Sequence, residues 1–274
     1  MRRWKGIDGG RTMDEAVTFS PIGFVRGGGR YPQEAPRQSV LARNRGVVEL
    51  LPGRGFETAL ADLAGFDRIW LIFLFDRAGN WRPMVRPPDG AGRKIGLFAT
   101  RSPHRPNPIG ISAVELEKVE GLLLFIRNFD LLDGTPVLDI KPYIPAADAF
   151  PESAAGWRDA VPQTLVSLKF SPEAAAAIAW IREQGGPDLA EVAHVQLATR
   201  RPDPKRQRLR EMDPAQGEWE FAFRTWRLRF LRTDGEVLVS AVHSGYHAEE
   251  LAEGAPDPYR DKALHRAFCE RFLN

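Results

Sequence analysis

Between residues 18 and 143, apolar positions come in short runs separated by turn-forming residues. TFSPIGFVR, GVVELL, RIWLIFLFD, KIGLFAT, ISAVELEKV, LLLFIRNFD and PVLDIKPY each read as a β-strand. One segment departs from this rhythm. In FETALADLAGF, Phe56, Leu60, Leu63 and Phe66 share a helical face, which predicts a single helix packed on a sheet. Closely spaced strands with a lone helix among them predict an antiparallel sheet or barrel, not a doubly wound βαβ fold. The expected fold class is mainly β with α+β: an N-terminal antiparallel β-barrel followed by a smaller α+β domain.

The pattern changes after residue 145. Residues 146–162 are rich in Pro, Ala, Ser and Asp and read as a linker. TLVSLKF predicts a strand. PEAAAAIAWIREQG predicts a helix with Pro172 at its start and glycines just past its end. DLAEVAHVQLATR predicts a second helix, opened by an aspartate. WEFAFRTWRLRFLRTDGEVLVSAV predicts a hairpin turning at Asp234-Gly235. Its first strand changes face after Phe223, and a bulge near Arg224 or Thr225 would account for that. The α+β domain is expected over 163–245. A tail over 246–274 ends in the amphipathic helix DKALHRAFCERFL.

Composition narrows the class. The 274 residues suffice for one large domain or two ordinary ones. With 38 basic against 36 acidic residues, affinity for nucleic acid must come from a local patch. Cys269 is the sole cysteine, so no internal disulfide forms, which points to a reducing compartment. Residues 1–16 carry charge without an apolar segment. They are expected to be disordered and not a signal peptide. The longest apolar run, IWLIFLF, is too short to span a bilayer. A soluble cytoplasmic protein is expected.

The densest chemistry lies in residues 98–143, where RSPHRPNPIG and DLLDGTPVLDIKPY flank strand-like runs. Three prolines stiffen the first loop and push their predecessors to extended backbone. A rigid loop carrying Arg101, His104, Arg105 and Asn107 suits a polar or anionic ligand. Other chemistries fall away. No glycine-rich turn opens a helix after a strand, so dinucleotide and P-loop fingerprints are missing. The histidines do not stand at metal spacings, and no metal is expected. Ser102 and Ser112 lack a nucleophile-elbow context.

RQSV, FATRSPHRPNPIGIS and LLDGTPVLDIKPYIP resemble the signature segments of the TsaA-like (TrmO, YaeB-like) family, with support from GFDRIWLIFLF and WRPMVRPP. The resemblance covers roughly residues 19–145. It implies a small β-barrel that binds S-adenosylmethionine and methylates the exocyclic amine of threonylcarbamoyl-adenosine beside the anticodon of tRNA. It also implies a homodimer with the cofactor near the subunit interface. The family's Asp-Pro-Arg-Pro-Ala-Tyr segment has only a partial counterpart here, TRRPDPKRQRLR, where Asp203-Pro204 matches and Lys205 replaces an arginine. That departure bears on the RNA substrate, not on the cofactor.

Within this resemblance the cofactor positions are Gln38, Ser39, Val40 and Leu41, Asp76 and Arg77, Arg101, and Asn128, Phe129 and Asp130. Methyl transfer is an in-line displacement governed by positioning. Arg101 is suited to clamp the cofactor's carboxylate, and Asp76 or Asp130 to hold its ribose or amine. The Gln38 loop would offer backbone groups to the adenine. The acceptor amine must lose a proton, and Asp139 and Asp133 are the candidate acceptors. Asn107, between two prolines, is a further catalytic candidate. His104, Arg105 and Lys141 are candidate partners for an acceptor carboxylate. Arg206, Arg208 and Arg210, in a dense basic run, are candidates for phosphate contacts. Ordinary roles remain open for each: Arg101 in a surface ion pair, Asp76, Asp130 and Asp133 in turns, Asn107 as a cap, the basic run as a solvated loop. Asp139 differs, because a carboxylate inside PVLDI needs a partner or a function. Two other functions stay open, a non-catalytic SAM-responsive RNA-binding or regulatory protein and a SAM-dependent enzyme acting on a small molecule.

Overall fold

The computed structural model describes residues 17–29, 42–87, 92–160, 166–197, 208–233 and 235–273. The start expected to be disordered, the Gln38, Ser39, Val40 and Leu41 group, and Arg206 lie outside the described residues. The chain divides into two compact units. Described residues of the first are 17–29, 45–87 and 94–150; the other described residues belong to the second.

The first unit is built from β1 (Gly23–Arg26), β2 (Arg45–Leu50), α1 (Phe56–Ala59), β3 (Arg68–Leu74), β4 (Met84–Val85), β5 (Ile95–Gly96), β6 (Ile109–Glu120), β7 (Leu123–Arg127), β8 (Pro136–Pro142) and α2 (Pro145–Asp148). Six strands close into a barrel in the order β1-β2-β7-β6-β3-β8, with antiparallel pairing throughout. Closure pairs every edge of the sheet. Side chains alternate as a pleated strand requires. Ile69, Leu71 and Phe73 of β3 fill the interior, while Trp70, Ile72 and Leu74 face outward. Gly110 of β6 lies against the Phe73 ring, where a Cβ would come within 2.3 Å of it.

Two local expectations change. Residues 56–66 do not form one helix. α1 lasts one turn, Asp62 adopts left-handed backbone at φ 64°, and a 3-10 turn covers Leu63–Gly65. Phe56, Leu60 and Leu63 still pack on the barrel core, so the apolar spacing reports burial without a continuous helix. KIGLFAT supplies only β5 and then a 3-10 turn at Leu97–Ala99.

The second unit contains β9 (Ser167–Phe170), α3 (Pro172–Glu183), α4 (Leu189–Leu197), β10 (Leu209–Asp213), β11 (Glu218–Phe223), β12 (Trp226–Arg232), β13 (Glu236–Ser244) and α5 (Lys262–Phe272). Its sheet runs β10-β11-β12-β13-β9, with β9 parallel to β13. Ser171 caps α3 by accepting a hydrogen bond from the Ala174 N–H at 3.1 Å, with Pro172 in the first turn. Asp188 accepts from the Ala190 and Glu191 N–H groups at the start of α4.

The change of face after Phe223 is a turn, not a bulge. Phe223 pairs with Trp226 across it, and Arg224 takes φ 51°. The single hairpin expected is therefore three strands. A register shift does occur, but between β12 and β13 at Arg229/Phe230.

α5 is held by a buried polar network. His265 is 0% exposed and stacks on Trp226 with ring centroids 3.8 Å apart. Thr225 Oγ1 donates to Asp261 Oδ2 at 2.6 Å, which uses its single proton. It must therefore accept from His265 Nε2 at 3.0 Å, leaving Nδ1 to accept from Ser244 Oγ at 2.9 Å. Tyr246 Oη donates to the other oxygen of Asp261 at 2.7 Å.

Candidate functional site

Antiparallel pairing brings the C-terminal ends of β1, β3 and β7 and the N-terminal ends of β6 and β8 to one mouth of the barrel. Asp76, Arg77, Asn107, Asn128, Phe129, Asp130 and Asp133 all lie at that mouth. They come from three separate segments, 76–77, 107 and 128–133, which the antiparallel pairing brings to the same end of the barrel.

Several of these groups build the mouth itself. Arg77 donates to the Asp133 carbonyl at 2.6 Å and has Asp76 beside it, with Nε 3.8 Å from Oδ2. The Asp133 carboxylate accepts from the Gly27 N–H at 3.1 Å, and its own N–H donates to the Gly29 carbonyl. Gly134 follows at φ 79°, a conformation that favours glycine. Asn128 turns the chain at φ 54° and its side chain hydrogen-bonds Glu115, whose carboxyl is held below the usual range chiefly by Arg127. The Phe129 ring is fully buried in the barrel core, close to Gly46.

Asp130 is different in character. Its residue surface is intermediate, yet its carboxylate is lodged deeply enough that desolvation pushes its pKa up. Ser112 Oγ donates to Asp130 Oδ1 at 2.6 Å, and the positive charge of Arg101 partly offsets the desolvation. Ser112 is 5% exposed and points into the barrel from β6. Sequence reasoning missed it as a site residue. The available signal was a hydroxyl at an inward position of ISAVELEKV, flanked by buried apolar neighbours.

The proline-rich loop is tied largely to itself. Arg105 donates to the Thr100 carbonyl at 2.9 Å and lies over the Phe98 ring at 5.7 Å. The Arg82 N–H donates to the His104 carbonyl, and the Phe75 N–H to that of Pro108. His104 Nδ1 is buried without a hydrogen-bond partner among the described residues. Arg101 and Asn107 are exposed.

Asp139 and Lys141 are not at the mouth. They stand two apart on the outer side of β8, opposite Ile72 and Trp70, and pair with each other at 2.8 Å. The Asp139 side chain is 50% exposed. Pleating answers the desolvation question that PVLDI raised, because alternate residues of an apolar run can face outward.

In the second unit, one face of the sheet packs on the core through Phe221, Trp226, Leu228 and Phe230. The other face carries arginines. Arg210, Glu220 and Arg229 are neighbours across three strands, and Arg227 stands opposite Ala222 and His243. Arg208 precedes β10, its carbonyl accepting from the Ala222 N–H. Burial and the nearby Arg229 hold the His243 pKa below its usual value. No described helix is long and apolar enough to cross a membrane.

The small closed barrel thus gathers a carboxylate, a hydroxyl and guanidinium groups at one mouth. Comparison with known proteins names the family. The tRNA-methyltransferase O N-terminal domain matches residues 29–149. A tRNA (adenine(37)-N6)-methyltransferase of Escherichia coli K12 is 38% identical over 163 residues, covering 57% of this chain and 69% of that protein. One from Eikenella corrodens is 39% identical over 183 residues, covering 65% of this chain and 97% of that protein. The crystal structure of TrmO from Pseudomonas aeruginosa superposes with a TM-score of 0.61 at 32% identity, covering 84% of this chain and 99% of that one. The chain belongs to the TrmO family.

Proposed function

We propose that this protein is an S-adenosylmethionine-dependent tRNA methyltransferase acting on the N6 amine of adenosine 37, with threonylcarbamoyl-adenosine as the acceptor. The observation that carries the reading is the barrel mouth: Asp130, Ser112 and Arg101 stand together there in a chain of the TrmO family. The residues present fit the cofactor. A buried carboxylate suits a cationic group, and an exposed guanidinium suits the amino-acid carboxylate. When bound, S-adenosylmethionine supplies a methyl group on a sulfonium.

In this reading Arg101 binds the cofactor's carboxylate and Asp130 its cationic side. Asp76 and Arg77 shape the rim, and Asn128 and Asp133 hold the strand ends that carry the site. His104, whose buried Nδ1 has no hydrogen-bond partner among the described residues, is the residue of the proline-rich loop assigned to the acceptor. Asp139 and Lys141, paired on the outer wall, take no part in proton removal. The barrel's outer apolar face at Ile72, Leu74 and Ile109, with Ile111 49% exposed, supports a homodimer. The arginine face of the second unit supports phosphate contacts to tRNA.

The test is direct. The purified full chain, S-adenosylmethionine and tRNA bearing threonylcarbamoyl-adenosine are incubated, and the anticodon-loop nucleosides are read by mass spectrometry. A gain of one methyl on that nucleoside is expected. Tight cofactor binding without methylation of any tRNA would overturn the enzyme assignment.

A further inference from the structure

We infer that Ser112 is a positioning residue for cofactor binding, fixing Asp130 as the carboxylate that receives a cationic group of S-adenosylmethionine. The inference rests on the proposed cofactor reading and adds to it the residue that orients Asp130.

Ser112 sits at an inward position of β6, where its neighbours in the same direction, Gly110, Val114 and Leu116, are buried. A lone hydroxyl there needs a partner. It finds Asp130 Oδ1 at 2.6 Å, a short contact of the kind a hydroxyl makes with an ionised carboxylate. Asp130 follows the turn at Asn128 and the buried ring of Phe129. Both anchors fix its backbone, and the Ser112 hydrogen bond selects its side-chain orientation. Arg101 is the charged group whose field reaches it.

The carboxylate is nevertheless under-compensated. Desolvation outweighs its Ser112 and backbone hydrogen bonds and the attraction of Arg101, so its pKa is raised. A carboxylate placed this way gains most from a ligand that brings a positive charge. The amine and the sulfonium of the cofactor are the two positive groups that a SAM site must accommodate, and either would favour the ionised form. Binding should then shift the titration of Asp130 to lower pH, because a cationic ligand favours the charged form.

The experiment is calorimetry on the full chain with S-adenosylmethionine and its demethylated product across pH 5 to 8. The proteins are wild type, Ser112→Ala, Asp130→Asn and the double variant. Ser112→Ala should weaken S-adenosylmethionine about ten-fold near neutral pH, the expected loss for one hydrogen bond to a charged group. It should also move the acid-side loss of affinity to higher pH, since the carboxylate loses the donor that favours its charged form. On the Asp130→Asn background, Ser112→Ala should cost nothing more, because the serine acts through the aspartate. A loss in Asp130→Asn that is larger for S-adenosylmethionine than for the demethylated product places the carboxylate against the sulfonium. An equal loss places it against the amine. Unchanged affinity and pH dependence in Ser112→Ala, or additive losses in the double variant, would overturn the inference. Asp130→Asn preserves volume and a hydrogen-bond acceptor, so its affinity loss is readable if Ser112→Ala folds poorly. Failure of wild type to bind the cofactor would instead defeat the parent reading, and this one with it.

Discussion

Lowering the pH from 7.5 to 5 should loosen the second unit, and replacing His265 with glutamine should remove much of that sensitivity. His265 is fully buried against Trp226, with both ring nitrogens engaged by hydroxyls. Burial holds its pKa down at about 4; Asp261 and Asp257 oppose that and Arg227 adds to it. The folded form therefore binds this proton less readily than the unfolded chain, whose imidazole titrates near 6.5. The stability it contributes is complete above 6.5 and is lost as pH falls toward 4. At about 1.4 kcal/mol per pH unit, the whole interval corresponds to roughly 3 kcal/mol, of which about 2 kcal/mol falls between about pH 6.5 and 5. The substituted glutamine does not titrate in that range, and its amide can donate toward Thr225 and accept from Ser244. His194 and His243, whose pKa values are also lowered by burial, are common to both proteins and cancel in the comparison. The assay is urea unfolding followed by far-ultraviolet circular dichroism. The described helices longer than one turn, α3, α4 and α5, all belong to the second unit, so they dominate that signal. The difference in stability between His265→Gln and wild type should move by about 2 kcal/mol in favour of the variant between pH 7.5 and 5. An unchanged difference across that range would refute the reasoning, and with it the neutral Nε2–H form of the imidazole.

Other outcomes follow from the same geometry. Gly110→Ala should destabilise the barrel by about 1–3 kcal/mol, because its Cβ meets the Phe73 ring, and thermal unfolding would show it. Asp130→Asn should raise the unfolding midpoint of the ligand-free protein at neutral pH while weakening cofactor binding. A carboxylate with a raised pKa subtracts stability as pH rises through its titration, and the amide does not titrate. Arg101→Ala should weaken S-adenosylmethionine by about ten-fold in calorimetry, as expected for loss of a charge-assisted pair. Neutralising Arg208, Arg210 and Arg227 together should reduce the slope of log affinity for tRNA against log salt by about 2, and leave cofactor binding unchanged. An unchanged slope would move the RNA contacts elsewhere.

Much of the barrel was legible in the chain because its signals are local. Strand-length apolar runs with turn residues between them marked β2, β3, β6, β7 and β8, and Pro172 and Asp188 marked the helix starts of the second unit. Periodicity misled where packing and backbone disagreed. The spacing of Phe56, Leu60 and Leu63 records which side chains are buried, yet left-handed Asp62 interrupts the helix that spacing suggested. The parity switch at Phe223 marked a real reversal of face, but a two-residue turn and a bulge shift parity alike, and only cross-strand pairing separates them. The candidate site divides in the same way. Composition and motif singled out Arg101, Asp130 and the proline-rich loop, because rigid backbone and charge at strand ends are visible in one dimension. Which carboxylate is desolvated was decided by tertiary structure. Asp139 lies in an apolar run yet points out of the barrel beside Lys141, while Asp130 at a strand end turns in against Ser112, eighteen residues away. Desolvation depends on which atoms close around a group, and that is fixed only when strands distant in sequence meet.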